Sequence, residues 1–236
     1  MENRTRRQYD IIRELASSDA FVLGDVTNLG KHATRLAYPI IQCSRINLWF
    51  FNDDRTRFHC LFHYGGRYFK KGPTFKTKDY PTYFKEMEKI RTLDIPRARY
   101  DPRTEELLDN YLIPNDIHSL LDSGLFDGER LIGLYCFEQA MAERYWTTED
   151  TEFARVLADL ISSAFVLKKR IEAEKALRES RSNLEESNLT LKNVLSEIER
   201  EKRSQMETVS LNIERNVKPI LDSLKPRVHE EDHHLL

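Results

Sequence analysis

The chain has the pattern of an α+β protein: an antiparallel sheet covered by helices, then one long C-terminal helix. Three observations predict this. Between Ser44 and Glu138, short aromatic and β-branched runs alternate with turn signals, so strands dominate the middle of the chain. Segments with helical spacing of apolar residues precede and interrupt those runs. After Lys168 there is no Trp, Tyr or Phe, and charged residues crowd around sparse Leu, Ile and Val, as in a solvated helix.

Residues 1–18 read as an N-terminal helical segment, and residues 19–167 as the globular domain. From Phe21 to Ile41, Val22, Val26, Leu29, Ala33, Leu36, Ala37 and Ile40 recur near helical spacing, and Pro39 with Ile40-Ile41 predicts the end of that helix. Ser44 to Phe51 and Phe58 to Tyr64 form a hairpin across Asn52-Asp53-Asp54. Gly65-Gly66 and Gly72-Pro73 bracket a short third strand. Pro81 opens a helix to about Arg91, because a first helical turn needs no N–H there. Pro102 opens another over Arg103 to Leu112, which Pro114 terminates. Ile117 to Phe126 and Leu131 to Glu138 form a second hairpin across Asp127-Gly128. The second of these strands is apolar on both faces, so a central place in the sheet is expected. Thr147 to Asp150 is a helix start, with a capping hydroxyl followed by acidic residues at the positive end of the helix dipole.

Residues 168–224 carry a seven-residue repeat. Leu177, Leu184, Leu191 and Ile198 mark one position; Arg181, Asn188, Leu195 and Lys202 mark the other. Leu with one central Asn is the pattern of a two-stranded parallel coiled coil, in which Asn188 fixes register and strand number. Met206, Ile213 and Ile220 restart the repeat, with Val217 and Leu224 four residues on from the last two. The eight-residue step from Ile198 to Met206 predicts a loosened supercoil. The expected interface is a homodimer through Leu177, Leu184, Asn188, Leu191, Leu195 and Ile198. The alternative is a single solvated helix folded back on its own domain. Residues 225–236 read as a tail.

Composition bounds the rest. The chain's 236 residues give room for one packed domain plus an extension. A net charge of -2 gives no general attraction to nucleic acid or anionic membranes, so no direct contact with either is expected. Arg4, Arg6 and Arg7 are not followed by the apolar run of a signal peptide, and no segment approaches the ~20 apolar residues of a membrane span. Cys43, Cys60 and Cys136 are odd in number and lie in apolar runs, which reads as buried reduced thiols in a cytoplasmic protein.

No catalytic constellation is present, and none is expected. His59 and His63 on one strand stand about 13 Å apart, too far to share a metal. The tail His229-Glu230-Glu231-Asp232-His233-His234 has ligand types in an unanchored segment, and reads as a solvated terminus. Asp94, Asp101 and Asp122 read as cap and turn carboxylates. Lys70, Lys71, Lys76 and Lys78 form either a solvated loop or a rim attracting anionic ligands. Phe75, Tyr80, Tyr83, Phe84, Tyr100 and Tyr111 lie in segments that would cover one sheet face, with Asp101, Thr104 and Ser119 as polar companions. Such a cluster is either the roof of a pocket for a small planar ligand or a filled core. No cofactor is identified.

Residues from about Asp19 to Leu167 resemble a GAF domain. The resemblance rests on Cys43-Ser-Arg-Ile-Asn-Leu-Trp-Phe-Phe-Asn, Tyr80-Pro-Thr-Tyr-Phe, Asp101-Pro-Arg-Thr-Glu-Glu-Leu, Tyr111 to Asp122, Ile132-Gly-Leu-Tyr-Cys-Phe-Glu and Trp146-Thr-Thr-Glu-Asp. It implies a six-stranded antiparallel sheet between helices, effector contacts under the variable loops, and a bacterial signalling protein. The cyclic-nucleotide-binding members' signature is not matched by Lys85-Glu-Met-Glu-Lys89 after Phe84, and the bilin-binding members' Cys-His pair does not occur. Leu184 to Leu224 is similar to the linker of bacterial sensor–regulators that end in a LuxR-type helix-turn-helix, through Leu191 to Lys202 and Val209 to Leu221. That likeness implies transcriptional regulation as output, with this chain either a fragment of a longer regulator or acting through a partner. The expected function is therefore a sensor that transmits its ligand state through a dimeric coiled coil. An enzyme on the same scaffold, resembling free methionine sulfoxide reductases, and a ligand-less dimerisation module are the alternatives.

Overall fold

The computed structural model describes residues 2–221. The chain divides into two units, Met1–Ala173 and Glu174–Leu236. In the first, helices α1 (Glu2–Ala16), α2 (Asp19–Val22) and α3 (Val26–Ile41) precede strands β1 (Arg45–Phe51), β2 (Arg57–Tyr64), β3 (Phe69–Lys70) and β4 (Thr74–Lys76). Helix α4 (Pro81–Lys89), strand β5 (Thr92–Ile95), a 3-10 turn over Pro102–Leu107 and a π turn over Leu108–Leu112 follow. Strands β6 (Ile117–Asp127) and β7 (Arg130–Ala140) lead into α5 (Thr148–Asn212).

All pairings are antiparallel, in the order β3-β2-β1-β7-β6-β5, with β4 also paired to β2. The apolar run of β7 does lie inside the sheet, between β1 and β6. Because side chains alternate across a sheet, the two faces bury different cores. Leu48, Phe50, Tyr135 and Phe137 pack with Leu29 and Ala33 of α3 and Phe153, Leu157 and Ile161 of α5. Trp49, Leu120, Leu134 and Cys136 pack on the other side with Tyr83, Phe84 and Met87 of α4 and with Leu107 and Tyr111. Buried hydroxyls tie the helices down: Thr34 Oγ1 and Tyr135 Oη are 2.8 Å apart, and Ser162 Oγ accepts from Phe126 N at 3.0 Å.

Several boundaries differ from expectation for tertiary reasons. The single helix expected from Phe21 is interrupted at Gly24, whose φ of +66° and lack of a Cβ let the turn sit on Lys168; a Cβ there would lie 2.7 Å from the Lys168 backbone nitrogen. Helix α3 ends at Ile41, as expected, with Pro39 inside its last turn. Its terminal carbonyls are satisfied by guanidinium groups, Arg4 donating to Ile40 O and Arg144 to Ile41 O and Gln42 O. The expected helix over Arg103–Leu112 is instead the 3-10 and π pair. The second hairpin turns on Gly128-Glu129, since Asp127 pairs with Arg130. Strands β4 and β5 were not anticipated. The start of α5 is as expected: Thr147 Oγ1 accepts from Asp150 N, and Asp150 Oδ2 accepts from Thr147 N.

In the second unit, every residue from Glu174 to Leu221 is exposed in the single chain. Leu177, Leu184, Leu191, Leu195 and Ile198 are each more than half exposed, and Asn188 is exposed with them. Leu224, the 225–236 tail and its histidines lie outside the described residues. Among the described residues, no helix is long and apolar enough to cross a membrane.

Candidate functional site: a polar row beneath aromatic residues

Strand register brings a row of polar side chains together on the α4 side of the sheet. Asn47 on β1 stands opposite Cys136 on β7, and Cys136 opposite Asp122 on β6. One step along, Arg45 on β1 stands opposite Glu138 on β7. Asn47, Asp122 and Glu138 are each at most 1% exposed. Burial of polar groups at this level requires hydrogen-bond partners. Some are present. Tyr83 Oη donates to Asp122 Oδ2 at 2.6 Å, and Tyr111 Oη donates to Glu138 Oε1 at 2.5 Å. Arg45 Nε donates to Glu138 Oε2 at 2.5 Å, and Asn47 Nδ2 donates to Tyr111 Oη at 3.2 Å. Asn47 Oδ1 and Asp122 Oδ1 are buried acceptors with no adequate donor.

Aromatic rings cover this row. Trp49 stacks on Phe58 (5.1 Å between ring centres) and on Phe75 (5.3 Å), while Tyr111 meets it edge-on at 5.8 Å. Tyr80, Tyr83 and Phe84, at and after the start of α4, complete the cover over Asp122, Cys136 and Glu138. The space left between cover and floor is about 20 Å³, enough for one water. In this conformation the aromatics largely fill their own cavity.

The environment shifts several ionisable groups in it. Burial pushes the Asp122 carboxyl up to about 7; the Tyr83 hydroxyl and Cys136 thiol oppose this, and the Glu138 charge adds to it. Burial, then the neighbouring carboxylates Asp122 and Glu138 respectively, hold Tyr83 and Tyr111 well above the usual phenol range. Burial likewise raises Cys136 well above an ordinary thiol and takes Cys43 and Cys60 to about 12. All three cysteines are free and buried.

Of the nine candidate pocket residues, the structure brings five together: Phe75, Tyr80, Tyr83, Phe84 and Tyr111. The placement of the other four is corrected. Tyr100 is 74% exposed, beneath the Arg97 guanidinium. Asp101 caps the 3-10 turn, accepting from Arg103 N and pairing with its guanidinium at 2.6 Å. Thr104 Oγ1 donates to Ala98 O, and Ser119 Oγ donates to Pro96 O while accepting from Arg144 N. Their polar groups are taken up by loop backbone and by Arg103, so they hold the loops instead of lining the cavity. Asp122, read as a cap or turn residue, is instead in the middle of β6. The reading from sequence missed Arg45, Asn47, Cys136 and Glu138 as well. The available signal was a charged or amide group inside strands that otherwise read as apolar, as in Ile46-Asn-Leu and Leu121-Asp-Ser. His59 and His63 lie on β2, and no group of three metal-ligating side chains occurs among the described residues.

A sheet with a helical layer on one face and an aromatic-covered polar row on the other is the architecture of a sensory, ligand-binding class of fold. Residues 25–165 match the GAF domain family, and the chain belongs to it. Solved structures share the fold. The phycoerythrobilin-bound GAF domain of a cyanobacterial phytochrome aligns at 13% identity and a TM-score of 0.60, covering 71% of this chain and 99% of that one. A phycocyanobilin-bound GAF domain of a cyanobacterial phytochrome aligns at 16% identity and 0.57, covering 68% and 94%. The GAF domain of an Acinetobacter phosphoenolpyruvate-protein phosphotransferase aligns at 9% and 0.55, covering 70% and 93%. No curated protein matches the chain.

Proposed function

We propose that the chain is a dimeric, non-catalytic signal sensor of the bacterial cytoplasm. Its GAF domain binds a small planar ligand between Trp49, Tyr83 and Tyr111, and α5 passes the ligand state to a partner that regulates transcription. The observation that carries this reading is Asp122 Oδ1, a buried oxygen without a hydrogen-bond partner in the wall of the aromatic-covered cavity, with Asn47 Oδ1 a second such atom in the same polar row. Leaving such atoms unpaired costs roughly 1–3 kcal/mol each, and a ligand offering N–H or O–H groups removes that cost. A space of about 20 Å³ does not admit a planar ring, so binding requires α4 to move outward with Tyr83 and Phe84. The buried, weakly acidic thiols support a non-catalytic role, since a thiolate is the reactive form of cysteine. The exposed heptad residues support the dimer: a helix with a narrow apolar stripe buries it only against a partner. Output at the level of transcription rests on the linker resemblance alone, with DNA contact left to the partner.

Native mass spectrometry of the full chain, purified from its own source, tests both halves. The expected species is a dimer retaining a small molecule that is lost in the Tyr83→Ala, Asp122→Ala double variant. A monomer at micromolar concentration refutes the dimer. Ligand retention undiminished in the double variant refutes the cavity.

A further inference from the structure

A second cleft, of about 430 Å³, lies on the helix side of the sheet and shares no lining residue with the aromatic cavity. That volume is within the usual range for small-molecule sites, whereas the aromatic cavity is far below it. Its floor is apolar, made by Phe50 of β1, Leu61 of β2, Ile132 of β7 and Phe165 of α5. Phe50 and Phe165 stack with ring centres 5.8 Å apart, and Leu61 and Phe165 remain half-buried, open to a guest.

The rim is cationic on balance: Arg55, Arg130, Lys168 and Lys169 face Asp53 and Asp127. Two of these cations are already engaged. Lys169 pairs with Asp127 at 2.7 Å, and Arg55 is held by Glu88 and the Leu131 carbonyl. The Arg130 guanidinium has no ion pair or hydrogen bond among the described residues, and the Lys168 ammonium has only an exposed Glu172 at 3.8 Å. An apolar floor beside two under-used cations fits a flat apolar body carrying one anionic group. Arg130 offers the planar fork that suits a carboxylate.

We infer that this cleft is a binding site for a small aryl carboxylate, separate from the aromatic cavity and independent of whether that cavity binds anything. Its guest touches Phe165, Lys168 and Lys169, all on α5. The turn at Gly24 is seated on that same Lys168 backbone, so occupancy bears directly on the helix that carries the heptads.

Titration of the full chain with 2-naphthoate tests this, with 2-naphthol and 2-naphthylmethylamine as neutral and cationic controls, read by calorimetry and amide chemical shifts. The expected result is one 2-naphthoate per chain. Shifts should centre on Arg130, Phe165 and Lys168, and both controls should bind about tenfold more weakly or less. Arg130→Glu and Lys168→Glu should each lower affinity about tenfold, while Lys85→Glu, the same charge change on exposed α4, should not. Equal binding of the amine, absence of saturable binding, or an Arg130→Glu effect no larger than that of Lys85→Glu overturns the inference. Shifts confined to Tyr80–Phe84 also overturn it, while leaving the aromatic cavity as the ligand site.

Discussion

Asp122→Asn tests what it costs to bury a carboxylate beneath the aromatic cover. Asp122 is 1% exposed, and burial pushes its carboxyl up to about 7; in the unfolded chain it titrates near the ordinary value of about 3.9. Between those values the folded protein holds a proton that the unfolded chain has released. Stability from this group is therefore fully present below about pH 4, falls as pH rises, and is lost above about pH 7. The whole gap corresponds to about 4 kcal/mol, of which about 3 kcal/mol falls between pH 5 and pH 8. Asparagine keeps an oxygen for the Tyr83 hydroxyl and never ionises. Other titrating groups are common to both proteins, so the difference between them isolates position 122. Urea unfolding at fixed protein concentration, followed by the fluorescence of buried Trp49 and Trp146, should show the variant gaining on wild type by about 3 kcal/mol from pH 5 to pH 8. A difference that stays constant with pH would mean that Asp122 titrates normally, and would refute the account of the polar row.

Further outcomes follow from the same geometry. Arg45→Met leaves the buried Glu138 without its cation and should cost about 3 kcal/mol at pH 7 in the same unfolding assay; a loss below about 1 kcal/mol would show that Tyr111 alone suffices. Gly133→Ala places a Cβ 2.3 Å from the Trp49 carbonyl and should cost at least about 2 kcal/mol. Gly128→Ala, with open space but a φ of +64°, should cost only about 1 kcal/mol. Calorimetric midpoints of the two alanine variants check that order. Leu184→Arg with Leu191→Arg should halve the mass found by light scattering while leaving the fluorescence of Trp49 and Trp146 unchanged; a dimer that survives would place the interface elsewhere.

Local chemistry made much of the fold legible. The Asn52-Asp53-Asp54 turn, the glycine after Asp127, Pro81 at the head of α4 and the Thr147/Asp150 capping pair each act within a few residues. The aromatic cover was partly legible because Phe75, Tyr80, Tyr83, Phe84 and Tyr111 cluster along the chain, and the sheet gathers them. Strand β5 was missed because four residues, Thr92-Leu-Asp-Ile95, give too short an alternation to stand out. Strand β4 was missed because Phe75 becomes a strand residue only by pairing with Phe58.

The sequence by itself determined the α+β class, the hairpins, the long C-terminal helix and its heptad positions, all of which depend on periodicity and on turn and cap residues close along the chain. Only the tertiary structure decided that Asn47, Cys136 and Asp122 form one row and that Phe165 and Lys168 share a cleft with Arg130. Those residues come from separate strands and a helix, and strand register and helix docking, not local preference, set which side chains meet and which buried groups go without partners.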